Sequence, residues 1–266
     1  MKAADIYRKL EEYFKPSECT DYFNKMGIQY HNSKYIKKVY TSTFASNEAI
    51  SKVLQKKEKN VMIFSHHPAP PRPNENLPYP QISEDIVKKM EDSEVSLFSY
   101  HIPLDRNNPY SPSNTLAKAL GLKPYDIFYK QYGVYMGVLS KSDFKNIIEL
   151  KYEIEKLFNH EISFHDYGDR ELINGKVAIM AGCAKKTDIY EYLKNREVNT
   201  LITGVTNPAI SWVPPIHQEA RINRINILGG THYSTEKFAL KALVKFFEEI
   251  GIIAEFIEEM PNLLDI

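Results

Sequence analysis

The chain has 266 residues, 43% hydrophobic and 26% charged, the make-up of a soluble globular protein with one large α/β domain or two smaller ones. Lys and Arg total 34, as do Asp and Glu, which argues against a general nucleic-acid or anionic-membrane surface. Cys19 and Cys183 are far apart and in no C-x-x-C spacing, so neither a disulfide framework nor a thiolate zinc site is expected.

In chain order, "MKAADIYRKLEEYF" opens as an amphipathic helix without the apolar core of a secretory signal. No stretch is apolar for long enough to span a bilayer, and the expected location is the cytoplasm. "NVMIFS" reads as a buried strand that runs into His66 and His67. After it, residues 68–80 form a Pro-rich loop longer than a plain connection needs. "SEDIVKKMED" is a helix behind Ser83, "VSLFSY" a strand leading to His101 and Asp105, and "SNTLAKALG" a helix from Ser113 to Gly121. The strand "VYMGVL" and the longer helix "KSDFKNIIELKYEIEKLFN" come next. Strands "KVAIMAG", "NTLITG" and "INILGG" then alternate with helical "TDIYEYLKNRE" and "STEKFALKALVKFFEEIG". This alternation predicts an α/β protein whose mixed sheets are flanked by helices.

Ligands gather beyond the carboxyl ends of strands in open α/β sheets. Three strand ends here carry metal-competent side chains: His66 and His67, then His101 and Asp105, then His232 with Glu236 in the first turn of the helix that follows. Any one of them alone reads as an ordinary hydrogen-bonded histidine, a turn residue or a helix-dipole carboxylate. Their combination suits zinc, manganese or iron, since imidazole and carboxylate are the donors. Adjacent strand residues point to opposite faces, so His66 and His67 are expected to serve two neighbouring ions, with Glu236 as the natural bridge.

"SHHP", "SYHIPLD" and "GGTHYSTEKFALKAL", in that order, resemble the NIF three-like family, whose members are often named GTP cyclohydrolase 1 type 2 homologues. Weaker likeness extends over most of the chain, including "NKMGIQ", "ITG" and "IHQEAR". The resemblance implies two interlinked α/β units, placed here at 1–124 and 125–266, with the C-terminal "THYSTE" segment returning to the metal site. It implies a dinuclear centre of two divalent transition-metal ions held by His66, His67, Asp105, His232 and Glu236. It sets His101 and His217 beside that centre in substrate or proton-transfer roles, and it implies a homohexamer. The chain departs from the family pattern at Asn24 and Lys25, at Val205, at Thr231 and in the Pro-rich loop.

The function expected is therefore a metal-dependent hydrolase of the GTP cyclohydrolase type, acting on a small molecule such as a nucleotide. His101 is the preferred proton shuttle, and Arg72, Arg106 and Lys130 are candidate anion contacts. No P-loop or G-x-G-x-x-G stretch is present, so those loops would not hold the nucleotide. The alternative is a non-catalytic metal-handling protein or a protein-interaction scaffold.

Overall fold

The computed structural model describes residues 1–70, 72 and 77–266. The centre of the Pro-rich loop, residues 71 and 73–76, lies outside the described residues. Helix α1 (Ala3–Phe14) buries Ala3, Ile6, Leu10 and Phe14, the apolar stripe expected of a helix laid on a core. Then come β1 (Gly27–Tyr30), β2 (Lys38–Phe44) and α2 (Asn47–Gln55), where the Ser46 hydroxyl accepts the Ala49 N–H. Next are β3 (Val61–His67), α3 (Glu84–Asp92), β4 (Val95–Ser99) and the four-residue α4 (Ile102–Asp105).

The middle of the chain forms α5 (Pro112–Ala119), β5 (Lys123–Gln131), β6 (Val134–Lys141), α6 (Ile147–Phe158) and β7 (Ser163–His165). It continues with β8 (Lys176–Met180), α7 (Asp188–Asn195), β9 (Thr200–Thr203), α8 (Val213–Asn223) and β10 (Asn226–Gly229). The long α9 (His232–Glu249) and β11 (Ile253–Phe256) follow. Helix α5 starts at Pro112 behind Ser111 rather than at Ser113. The Ser113 hydroxyl instead donates to the Met136 carbonyl, 2.7 Å away. No helix among the described residues is long and apolar enough to cross a membrane.

The chain packs as two compact units. Unit 1 holds Met1–Arg106, Tyr132–Val134 and Ala239–Glu259. Its sheet has the order β1-β4-β3-β2-β11, with β4, β3, β2 and β11 parallel and β1 antiparallel. Every residue of β3 and β4 is buried, which matches their unbroken apolar character at sequence level. Tyr40, Ile50, Val53, Ile63 and Leu97 make up much of the core.

Unit 2 holds Asn107–Gln131, Tyr135–Phe238 and Met260–Ile266. Its sheet order is β5-β6-β8-β9-β10-β7, with β8, β9 and β10 parallel and β6 and β7 antiparallel to their neighbours β8 and β10. Strand alternation splits its core: Ile179, Ile202 and Leu228 pack in one cluster, Ala178, Leu201 and Ile227 in another. Position 124 falls inside this unit. Leu116, Ala117 and Leu120 of α5 join Val138 and Leu150 in its first cluster.

Candidate metal centre

In unit 1, β3 delivers His66 and His67 fully into the interior, at 0% and 3% exposure. Although neighbours on a strand point apart, these rings stand with centroids 4.3 Å apart and 65° between planes. His67 lies flat on Phe44, its parallel partner at the end of β2, with centroids 4.8 Å apart. His101 follows β4, and the donor nitrogens of His66, His67 and His101 all lie within 4.8 Å of one another.

Hydrogen bonds fix the tautomers that such a cluster needs. His66 Nδ1 lies 3.1 Å from the Tyr100 carbonyl and donates to it, which leaves the lone pair on Nε2. His101 Nδ1 lies 3.0 Å from Asp21 Oδ1, which sets the lone pair of His101 on Nε2 as well. Both Nε2 atoms face Asp105, His66 at 3.4 Å from Oδ1 and His101 at 3.6 Å from Oδ2. Donors about 2.0–2.2 Å from one tetrahedral ion stand about 3.3–3.6 Å apart, so the His66–Asp105 spacing suits two ligands of one metal.

Asp21 went unrecognised in the sequence. Its Oδ2 accepts the Ile102 N–H at 3.1 Å, so it caps α4 while its other oxygen holds His101. Burial raises its pKa, but the hydrogen bond and charge of His101 outweigh that and hold the carboxyl below the usual range.

In unit 2, β10 ends in two glycines and α9 begins at His232. Thr231 is the cap: its Oγ1 accepts the Ser234 N–H at 3.0 Å. Glu236 therefore sits in the second turn of α9, not the first. The i,i+4 spacing stacks it on His232, with Nε2 to Oε1 at 3.1 Å.

The other side of the His232 ring, Nδ1, is 3.8 Å from Cys183 Sγ, and its backbone N–H donates to Asp265 Oδ2 at 2.9 Å. Burial lowers the His232 pKa, but the charges of Glu236 and Cys183 and their hydrogen bonds reverse this and push it well above 6.5. Gly182 has φ +72°, and a Cβ there would collide with Glu236 Oε1; backbone passes where only glycine fits. Neither Cys183 nor Asp265 carried a recognisable signal in the sequence.

His217 lies on α8 of unit 2 and is tied to the His232 region through Thr206, whose N–H donates to the Asp265 carbonyl. Its Nδ1 is 2.8 Å from the Tyr167 hydroxyl, its Nε2 donates to the Thr206 carbonyl at 2.8 Å, and its ring packs edge-on against His165. Burial, then the neighbouring His217, pulls the His165 pKa down to about 4. Of the candidate anion contacts, Arg106 pairs with Glu18 at 2.6 Å. Arg72 sits over the Tyr79 ring at 4.6 Å, and Lys130 over Tyr135 at 5.8 Å.

A model of the Duf34/NIF3 (NGG1p interacting factor 3) family matches residues 1–262. A GTP cyclohydrolase 1 type 2 homolog of Borreliella burgdorferi is 29% identical over 180 residues, 67% of this chain and 68% of the relative. One from Pyrococcus horikoshii is 25% identical over 276 residues, covering 99% and 100% of the two chains. Among solved structures, protein ybgI, of unknown function, superposes with TM-score 0.80 at 18% identity, covering 98% of this chain and 99% of that one. At that identity the likeness carries the fold alone.

Proposed function

The chain belongs to the Duf34/NIF3 family, and on that premise we propose that it is a dinuclear metal-binding protein that works as a metal-dependent hydrolase on a small molecule. The observation that carries this reading is the buried pair His66 and His67, with the Asp105 carboxylate 3.4 Å from His66 Nε2 and the His101 ring beside them. Imidazole nitrogens beside a carboxylate oxygen are a donor set that a divalent transition-metal ion suits.

We assign His66, His67 and Asp105 of unit 1 and His232 and Glu236 of unit 2 as the ligands. That the two groups form one centre is part of the proposal. Its support is the family resemblance of the three motifs that carry these residues. When bound, divalent transition-metal ions supply Lewis acidity, polarising an electrophilic centre and acidifying water. Neutral nitrogen and carboxylate donors fit zinc, iron or manganese.

The chain's own residues do the rest. Asp21 holds the His101 Nδ1 proton, so Nε2 is the atom that takes up and returns a proton, and the Asp21 charge stabilises the imidazolium formed. His217 has both ring nitrogens engaged by Tyr167 and Thr206, which makes it the poorer carrier. By family likeness the assembly is a homohexamer.

The test is a turnover screen of metal-reconstituted protein against nucleotides and small cyclic amides, with products read by mass spectrometry. Turnover that a chelator abolishes and added metal restores is the expected result. Two bound metals with no turnover across the screen would sink the hydrolase and leave the metal-handling role.

A further inference from the structure

Unit 2 contains a groove of about 460 Å³ in which none of the metal-competent residues takes part. Strand β5, at one end of its sheet, supplies one wall with five consecutive residues, 126–130. Helix α7 and its flanks supply the other, between positions 186 and 196. Successive strand side chains point to opposite faces, so a wall of consecutive residues presents the backbone edge of the strand as well. Among the described residues β5 pairs with β6 and no other strand, which leaves its outer edge without a ladder partner. The Ile127 N–H is taken by the adjacent Asp126 carboxylate at 2.9 Å, a local shield of the kind that edge strands carry.

The lining is aromatic and apolar between charged ends. Phe128 and Tyr192 stack at 6.1 Å with 11° between their planes, in company with Ile127 and Ile189. The charges do not balance. Arg196 neutralises Asp126 at 2.9 Å, and Asp188 sits in the first turn of α7, where the helix dipole favours an acid. Lys130 and Lys186 make no ion pair among the described residues, and their ammonium groups lie over the Tyr135 and Tyr129 rings at 5.8 Å each. Two unpaired cations against one acid leave the groove positive.

Its dimensions suit a polypeptide. Five strand residues extend over about 13 Å at ~3.3 Å per residue, and the eight residues of α7 over about 12 Å. Walls of matching length take about four residues of extended chain. We infer that this groove docks an extended, acidic segment of a partner protein, which joins β5 as an additional strand with α7 alongside it. Main-chain bonds to the β5 edge supply affinity, the Phe128–Tyr192 pair takes apolar side chains, and Lys130 and Lys186 select carboxylates. The inference goes beyond the metal-centre reading and does not depend on it.

The experiment pans a phage-displayed library of random decapeptides against the full chain, then titrates the enriched peptides in synthetic form by fluorescence anisotropy. Enriched sequences are expected to be acidic and to hold a proline-free run rich in β-branched and aromatic residues. Lys130→Glu and Lys186→Glu should each weaken binding at least tenfold, with circular dichroism showing that both variants fold. Backbone N-methylation of the peptide, one residue at a time, should abolish binding at alternate positions and spare those between, since every second N–H of an added strand enters the ladder. Any of three results overturns the inference: no enrichment of acidic peptides, wild-type affinity in either charge-reversal variant, or N-methyl effects without the two-residue period. The last would mark a helical segment or a contact made by side chains alone. None of the three bears on the metal centre, which metal analysis of the same protein tests separately.

Discussion

Asp21 Oδ1 and His101 Nδ1 lie 3.0 Å apart across 80 residues of sequence, in a pair whose side chains are only 1% and 8% exposed. A buried carboxylate against one ring nitrogen fixes the tautomer and makes the opposite nitrogen the basic one. The same carboxylate caps α4, so the helix that carries Asp105 and the ring of His101 are held by a single side chain.

The first prediction separates proton transfer from metal binding at that pair. His101→Ala should keep the metals and lower turnover by ~10²–10⁴, the usual cost of losing a general acid–base group. Asp21→Asn should also keep them and lower turnover at least tenfold, because an amide can present its NH₂ to Nδ1 and favour the wrong tautomer. Elemental analysis beside steady-state kinetics checks both. Loss of metal in His101→Ala would move His101 into the ligand set and pass the proton-transfer role to another residue.

The second concerns Glu236. Glu236→Gln keeps size and helix position but removes the charge that a bridging ligand needs, so both metals should fall in occupancy together. Metal analysis by plasma emission reads this directly. Two metals retained at wild-type affinity would mean that Glu236 is no bridge.

Assembly is the third. Met260 and Leu264 are each 76% exposed and Ile253 is 68% exposed on the edge strand β11, apolar surface that closed symmetry would cover. Multi-angle light scattering should return six chains per particle. A monomer at all concentrations would remove the hexamer.

The fourth is a pH dependence of stability in unit 1. Burial pushes Glu259 up to about 8, against the opposing pull of the Thr43 and Phe44 N–H groups that it accepts. The folded state therefore binds more protons than the unfolded state between pH 4.5 and about 8. Its contribution is present below the lower value and is lost as pH rises through the upper one. Urea midpoints should fall across that window in the wild type and fall less in Glu259→Gln, which stays neutral. Parallel curves for the two proteins would show that Glu259 is ionised throughout.

The fifth tests the α9 cap. Thr231→Ala removes the oxygen that accepts the Ser234 N–H and should cost about 0.5–2 kcal/mol of stability. Thr231→Ser should cost much less. Chemical denaturation of the two variants decides it, and an Ala variant as stable as wild type would rule out the cap.

The parts of the molecule legible from sequence are those whose cause is local. An unbroken apolar run such as "VMIFS" is a buried strand wherever it lies, and the 3–4 spacing of Ile6, Leu10 and Phe14 is a helix stripe. The histidines at strand ends stood out for the same reason, as did the order of the three motifs that mark the family. Strand β2 was missed because Thr41, Ser42 and Thr43 read as polar, yet all are buried. Their environment comes from far along the chain, with the Thr41 hydroxyl donating to the Leu240 carbonyl and the Thr43 N–H to Glu259. Strand β11 completes that sheet only because the chain returns to pair with β2. Asp21 beside His101, Cys183 beside His232 and Asp265 on the His232 N–H are likewise partnerships of residues 80, 49 and 33 positions apart. Local propensity and periodicity carry no information about which distant side chain arrives, because that choice is made by the packing of the whole unit and is paid in chain entropy only once the fold has closed.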